Sequence, residues 1–451
     1  MNTHKTLWHR TSAMKIILIG YLGIIAAATL VLMLPQASKS GTATSFTDSL
    51  FTATSATCVT GLIRFDTFTH WTTLGQIIIL ILIQIGGLGF MSIALMVMVL
   101  TRKKISLSQR SLMQDSISAP ELGGIVRMVK FIIKGTVIIE GLGAILLAFY
   151  YVPVLGITNG IYMSIFHSIS AFCNGGFDLM GSVSDECSSM MSLEANVYVN
   201  IVLMILIVLG GLGFFVWSDI LNKRFRIRRF SLQTKVVLSM SISLIVLGAL
   251  SLFITEYNSG LYEGYPVGTR ILSCFFQSVS ARTAGMNSCD MSKMSESGVL
   301  IMIFLMLIGG STGSTAGGLK TTTLFVLLAS VKSTFRRRKN IEIFGRRLSE
   351  DLTRTASCIL VSYLVVIFVS TIIISAIEGL PVLTVLFECT SALATVGITL
   401  GITGSLGMIS KLIIIVLMIC GRVGSITILL AFAPDRTDST SRLPLEKLQI
   451  G

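Results

Sequence analysis

Phe51-TATSATCVT-Gly61, Phe166-HSISAFCNG-Gly176, Phe275-FQSVSARTA-Gly285 and Phe387-ECTSALATV-Gly397 each run from a phenylalanine to a glycine ten residues on, with a Ser-Ala pair between. The closing glycines recur about every 110 residues, so the chain reads as four copies of one unit, each carrying a short polar loop that ends in glycine. A four-fold ring of such loops is a way to build an ion-selective pore. The register is imperfect, because Ser280 stands five residues before its glycine whereas Ser55, Ser170 and Ser391 stand six before theirs.

Composition places these loops in a bilayer. The 451 residues are 53% hydrophobic and 13% charged, with a mean hydropathy of +0.83, too apolar for a soluble shell to cover. Eight runs approach the roughly 20 apolar residues that a span needs: 15–34, 74–100, 129–152, 195–217, 233–255, 298–330 with an interruption, 355–378 and 406–432. Between the members of each pair lies a stretch too short to cross. The expected fold is therefore an all-α polytopic membrane protein of four pseudo-symmetric helix–pore loop–helix repeats, eight spans and four re-entrant loops around a central pore. The boundaries are 15–105, 125–222, 231–333 and 352–433, followed by a tail at 434–451. The basic start (Lys5, Arg10, Lys15) resembles a signal peptide, but the run after it is long, lacks a clear cleavage site and is needed as the first helix. The eight cysteines show no metal or redox spacing.

A net charge of +13 raises nucleic-acid binding, and its distribution decides against it. Lys and Arg gather at the N-terminus, in 102–134, 223–235 and 332–354, and in the tail, whereas 153–194 has none but carries Asp178, Asp185, Glu186 and Glu194. Positive-inside bias puts both termini and the inter-repeat linkers in the cytoplasm, with the loops entering from outside. The runs Lys223-RFRIRR-Phe230 and Arg336-RRK-Asn340 read as topology determinants and headgroup contacts, and a docking role for a cytosolic partner is compatible with that.

The loops carry the chemistry. A cation entering a membrane sheds water, and converging backbone carbonyls replace that shell without adding fixed charge. Glycine at 61, 176, 285 and 397 permits positive φ and close approach of four backbones. The preceding residues, Thr57, Cys58, Val59 and Thr60, then Cys173, Asn174 and Gly175, then Arg282, Thr283 and Ala284, then Ala394, Thr395 and Val396, include no carboxylate. Main-chain oxygens are the expected ligands, with the C-terminal end of each half-helix turned towards the cation. Arg282 has to be satisfied behind the carbonyl line, since a guanidinium in the ion path repels the substrate.

A second constellation follows each loop. Gly86-GLG-Phe90 and Gly210-GLG-Phe214 read as small-residue contacts between crossing inner helices. The third copy differs: Gly309-GSTGSTAGGLKTT-Thr323 puts Gly309, Gly310, Ser311, Thr312, Gly313, Ser314, Thr315, Ala316, Gly317, Gly318 and Lys320 into a run that should be apolar, so the helix is expected to break there. Its G-x-S-x-G lacks the preceding strand and His/Asp partners of a hydrolase, and no Gly-Lys pair makes a phosphate loop. A hydroxyl-rich gate across the pore is the better reading. Arg422, at the equivalent place in the last span, is costly in lipid and is expected to hold this gate through its carbonyls and hydroxyls.

The loops Thr57-CVTG-Leu62, Asn174-GGF-Asp178, Arg282-TAG-Met286 and Ala394-TVG-Ile398, with the 309–323 break and Arg422, resemble the Trk/Ktr/HKT superfamily of cation transporters, and within it the Ktr-type membrane subunits, over essentially the whole chain. The resemblance implies a K⁺-translocating subunit with a filter centred on Gly61, Gly176, Gly285 and Gly397 and a regulated intramembrane gate. It further implies a homodimer in a prokaryotic plasma membrane, seated on a cytosolic RCK-type (KtrA-like) nucleotide-binding ring, with activity enhanced by Na⁺ and any nucleotide on the partner. Two departures stand out: Asn174-Gly175-Gly176 where relatives show Asn-Ala-Gly, and no loop with the full T-V-G-Y-G of tetrameric K⁺ channels. A Na⁺-permeable relative therefore stays open, as does a Na⁺- or H⁺-coupled carrier, for which Glu140, Glu256, Glu378 and Glu388 are the candidate membrane carboxylates, all read as lying near helix ends or on a pore half-helix.

Overall fold

The computed structural model describes residues 3–89, 125–183, 187–338 and 340–424. Helices dominate, and one order recurs four times: a long helix, a short buried helix, an irregular loop and a second apolar helix. The first set is α1 (Thr3–Leu32), α2 (Phe46–Cys58) and α3 (Thr73–Leu88). The second is α4 (Ile125–Leu155), α5 (Ile157–Cys173), α6 (Val197–Leu212) and α7 (Phe214–Asn222). The third is α8 (Leu232–Glu256), α9 (Val267–Ser280), α10 (Glu296–Leu307) and α11 (Thr321–Phe335), and the fourth is α12 (Glu350–Glu378), α13 (Val382–Leu393) and α14 (Met408–Val423). A two-residue hairpin, β1 (Glu342–Ile343) and β2 (Arg346–Arg347), lies in the basic linker between α11 and α12.

Each long helix is apolar over most of its length, and its described side chains bury only one side. Ile19, Phe149, Ile242 and Ile372 are each more than 60% exposed, the outward display of large apolar side chains that a lipid environment accepts and water does not. Among the described residues four helices are long and apolar enough to cross a membrane alone: Lys15–Leu32, Val126–Leu155, Leu232–Glu256 and Glu350–Glu378. The second apolar helices are shorter, 16 residues in α3, α6 and α14 and 12 in α10. That reach, about 24 Å at best, falls short of the hydrocarbon thickness. The continuous span expected at 195–217 is thus broken, that at 298–330 is interrupted between Leu307 and Thr321 as expected, and the far ends of those at 74–100 and 406–432, the tail, Phe90, Ser425, Asp185 and Glu186 lie outside the described residues.

Three of the second apolar helices end in the same way, the exception being α10, which is capped by Ile308. Gly89, Gly213 and Gly424 close α3, α6 and α14 with φ of 79°, 93° and 94° and extended ψ, a conformation that glycine alone adopts freely. At Gly213 the chain turns by 92° into α7, where Asp219 anchors the start of α8. It accepts from the Ser231 amide at 2.8 Å and Thr234 Oγ1 at 2.7 Å and pairs with Lys223 at 2.6 Å. Burial alone would raise the Asp219 carboxyl, but Lys223 and these donors outweigh it and hold the group at about 2.

Hydroxyl or amide side chains start the helices by accepting from exposed first-turn amides: Ser45 for α2, Thr72 for α3, Asn196 for α6, Ser231 for α8 and Ser295 for α10. The short helices α2, α5, α9 and α13 form the centre. Each packs against the long helix before it, and α3 also contacts α5, α6 contacts α9, α10 contacts α13, and α14 returns to α2, so the four sets close into a circle.

Phe51, Phe166 and Phe387 are fully buried on these central helices. In the third set the buried residue is Phe276, while Phe275 is 37% exposed. The third string is therefore one residue shorter than its glycine spacing implies, and Phe276 is the true counterpart.

Candidate ion-conducting site

Each central helix ends by returning its chain sharply towards the axis of the circle. Val59, Asn174, Thr283 and Thr395 adopt positive φ (57°, 59°, 74° and 52°), and two residues later so do Gly61, Gly176, Gly285 and Gly397 (89°, 70°, 80° and 92°). The next amide after each left-handed residue bonds back to the serine of the Ser-Ala pair: Thr60 to Ser55 O at 2.8 Å, Gly175 to Ser170 O at 2.7 Å, Ala284 to Ser280 O at 2.9 Å and Val396 to Ser391 O at 2.8 Å. The third loop spans one residue fewer than the others, so its deletion is absorbed in the last helical turn and the left-handed residue and glycine keep their places.

The four glycines form a ring. A Cβ built on Gly61 would lie 2.8 Å from Gly176 Cα, one on Gly176 3.2 Å from Gly285 Cα, one on Gly285 3.4 Å from Gly397 Cα, and one on Gly397 2.9 Å from Gly61 Cα. The carbonyl before each glycine crowds the neighbouring loop: Gly175 O faces Gly61, Ala284 O faces Gly176, Val396 O faces Gly285 and Thr60 O faces Gly397. Four backbone oxygens therefore alternate with four glycine Cα atoms around one axis. No side chain fits at any of the glycines, and a desolvated cation would meet partial negative charge without a carboxylate.

Three of the four repeat serines, whose purpose the sequence did not reveal, hold this backbone through their side chains. Ser170 Oγ donates to Phe177 O at 2.6 Å, Ser280 Oγ bonds Met286 O, and Ser391 Oγ accepts from the Gly397 amide at 3.0 Å. His167 braces the second loop, accepting from the Leu179 amide at Nε2 (3.1 Å); Nδ1 then carries the proton and donates to Tyr151 Oη (3.1 Å). Asn174, with its amide oriented by its neighbours, donates to the Ala171 and Phe172 carbonyls and accepts from Thr283 Oγ1 at 3.1 Å. Arg282 turns away from the ring and donates to Ser241 Oγ at 3.1 Å, its side chain lining a cavity with Ile207, Val208, Ile245 and Val279. The guanidinium sits behind the carbonyl line, as its charge requires.

Beneath the ring, residues 309–320 leave the helix and cross the centre. Gly309 N bonds Leu319 O at 2.9 Å and Thr321 N bonds Gly310 O at 3.1 Å, which folds the loop on itself. Ser311 N reaches Gly211 O at 2.9 Å, Thr315 Oγ1 reaches Phe172 O at 3.2 Å, and the Phe214 amide at the α6–α7 bend donates to Gly313 O at 2.8 Å. Gly317 faces the Thr395 side chain and Gly318 faces Ala394 O. Ser311 Oγ pairs with Thr321 Oγ1 at 3.1 Å, Thr312 with Thr322 at 3.1 Å, and Ser314 donates to Ser311 O at 2.6 Å. Lys320 Nζ donates to Ala316 O at 2.7 Å. Arg422 donates to the Thr315 carbonyl, as expected, and also to the carbonyls of Gly86 and Gly87 at the end of α3, which the sequence did not disclose.

Two readings of the sequence are corrected. Gly86 and Gly210 do not serve contacts between inner helices. They seat against the carbonyls of Thr57 and Phe172 at the ends of α2 and α5, so close that any Cβ would overlap them, and Gly421 lies likewise against the Leu393 carbonyl at the end of α13. Glu140 is not near a helix end but lies midway along α4, buried, where Gln84 Nε2 donates to it at 3.2 Å. Glu256 and Glu378, the last residues of α8 and α12, accept from the amides of Ser295 (3.3 Å) and Gly407 (2.8 Å). Glu388, on α13, is bonded by Thr399 and by Thr403 at 3.1 Å.

A circle of apolar helices around a backbone-lined constriction defines a polytopic ion-transport protein. The chain belongs to the TrkH family of cation transport proteins, whose model matches residues 4–440. It is 39% identical over 453 residues to the potassium/sodium uptake protein NtpJ of Enterococcus hirae, covering 99% of both chains. It is 38% identical over 427 residues to the Ktr system potassium uptake protein B of Bacillus subtilis, covering 94% of both. In fold it is similar to the potassium transporter TrkH from Vibrio parahaemolyticus, with a TM-score of 0.73 at 18% identity, covering 94% of this chain and 85% of that one.

Proposed function

We propose that the chain is the ion-translocating subunit of a Ktr-type K⁺ uptake system in the plasma membrane of a prokaryote, built as four pseudo-symmetric repeats (15–105, 125–222, 231–333 and 352–433) with both termini cytoplasmic. The observation that carries the proposal is the ring in which the carbonyls of Thr60, Gly175, Ala284 and Val396 alternate with Gly397, Gly61, Gly176 and Gly285. K⁺, the substrate, exchanges hydration water for these oxygens and moves inward down the membrane potential, which supplies about 2.3 kcal/mol per charge per 100 mV. The 309–320 loop, tied by Arg422, is the gate, and Arg422 and Lys320 set positive charge below the filter.

The multi-component naming of the Ktr relatives supports a partner, which we take to be a cytosolic RCK-type ring that binds the nucleotide and moves the gate, under a homodimer of this chain with Na⁺ as activator. A Na⁺-permeable relative is the second reading, favoured by the short constriction and by the potassium/sodium naming of the Enterococcus protein. K⁺ and Na⁺ flux in proteoliposomes at clamped potential, with and without Na⁺, separates the two. Wild type is expected to pass K⁺ in preference to Na⁺ and Gly397→Ser to lose that preference; identical selectivity in the variant would remove the filter assignment.

A further inference from the structure

Behind the second loop three side chains from three helices form a triangle. Gln84 Nε2 of α3 donates to Glu140 Oε2 of α4 at 3.2 Å, Glu140 Oε1 lies 3.6 Å from Cys173 Sγ at the end of α5, and Cys173 Sγ lies 3.5 Å from Gln84 Oε1. Glu140 and Cys173 are buried. The triangle closes with every donor and acceptor used only when Glu140 is the neutral acid: the amide donates to Oε2, the carboxyl O–H to the sulfur and the thiol to Gln84 Oε1. An ionised carboxylate has no hydrogen to give, leaves the thiol one acceptor too many and buries a charge that no cation among the described residues bonds.

Among the described residues the ionisable group bonded to Glu140 is Cys173, and the cation bonded to the last turn of α3 is Arg422 of α14. Arg422 does not reach the carboxyl, because its Nη2 is spent on the Gly86 and Gly87 carbonyls one turn further along α3. Gly87 in turn abuts Cys173, where a Cβ would come within 2.7 Å of the sulfur. The last turn of α3 is therefore gripped from one side by Glu140 through Gln84 and from the other by Arg422, which also holds the 309–320 loop.

We propose that Glu140, as the neutral acid, is a positioning residue for the second loop, fixing Cys173 and thereby the Asn174–Gly176 backbone, and that the α3 turn links this clamp to Arg422. This rests on the reading of Gly176 as part of the ion ring. The test compares the K⁺/Na⁺ flux ratio in proteoliposomes of wild type, E140Q, E140L, Q84L and Gly176→Ser, with infrared spectra of wild type and E140Q. E140Q keeps the triangle, an amide N–H replacing the acid O–H, and is expected to hold the ratio within about twofold, whereas E140L and Q84L lower it about three- to tenfold, the factor one buried hydrogen bond contributes. The wild-type spectrum is expected to show a buried carboxylic-acid C=O band that E140Q lacks.

An E140Q ratio as low as that of E140L, or no such band, would overturn the neutral clamp. So would a wild-type ratio in E140L; should E140L fail to fold, a wild-type ratio in Q84L does the same. Gly176→Ser separates the two claims. If it lowers the ratio while E140L does not, only the role of Glu140 has failed; if neither lowers it, the filter reading has failed as well.

Discussion

At the scale of single residues, the ring is a problem in space before it is one in charge. Gly421 shows this away from the axis: its Cα rests on the Leu393 carbonyl at the end of α13. Gly421→Ala forces the loop 394–397 to move, and is expected to lower the thermal midpoint, with a cost of about 1–3 kcal/mol typical of overpacking, and to reduce K⁺/Na⁺ discrimination; a thermal melt alongside flux measurements checks both. The ring glycines were legible in the sequence because positive φ and close approach leave a residue-type signature. Val59, Thr283 and Thr395 were not, because β-branched residues normally avoid the left-handed region. Only the hydrogen bonds from Thr60, Ala284 and Val396 back to the Ser-Ala serines, long-range in effect though local in sequence, impose it.

At the scale of elements, the 309–320 loop and Arg422 act together. The loop touches α6 through Ser311 and Thr315 and the second pore helix through Thr315 Oγ1, while Arg422 joins it to the end of α3. Arg422→Ala removes the clamp, and deletion within the loop removes the obstacle. Each is expected to raise K⁺ flux about tenfold, and the double variant to exceed neither single one, since residues acting as one unit are not additive. Flux at wild-type level in both single variants would dismiss the gate.

The break at the third inner helix was evident from glycines and hydroxyls in an apolar run. The helix ends at Gly89, Gly213 and Gly424 were not, since a lone glycine among leucines and isoleucines also suits helix packing. At Gly213 the tertiary reason is visible: the 309–320 loop donates to Gly211 O and accepts from the Phe214 amide at the α6–α7 bend, and a Cβ on Gly213 would meet Thr312 O at 2.8 Å.

For the whole molecule, the circle must close between the last set and the first, and a part-buried ion pair does part of this. Lys411 at the start of α14 pairs with Asp48 at the start of α2 at 2.7 Å, with Arg64 3.7 Å away. Lys411→Met leaves Asp48 short of its main partner and is expected to destabilise the fold by about 1–2 kcal/mol, between the values for exposed and buried pairs, and Lys411→Met with Asp48→Leu to recover most of it, as read by thermal melting in detergent.

Four-fold organisation, membrane class and the position of the constriction were all readable from the repeat, because each is a consequence of local spacing and apolar length. The order of contacts around the circle and the shortened third helix that puts Phe276 in the place of Phe275 depend on packing between sets and came only with the structure, whereas the mid-helix place of Glu140 was already implied by the span 129–152. The central claim is that a cation binds within the ring of Gly61, Gly176, Gly285 and Gly397. Anomalous scattering from crystals soaked in Rb⁺ or Tl⁺, heavy mimics of K⁺, is the direct measurement: the account predicts a peak on the axis among these four glycines, and a strongest cation peak elsewhere, with none inside the ring, would contradict it.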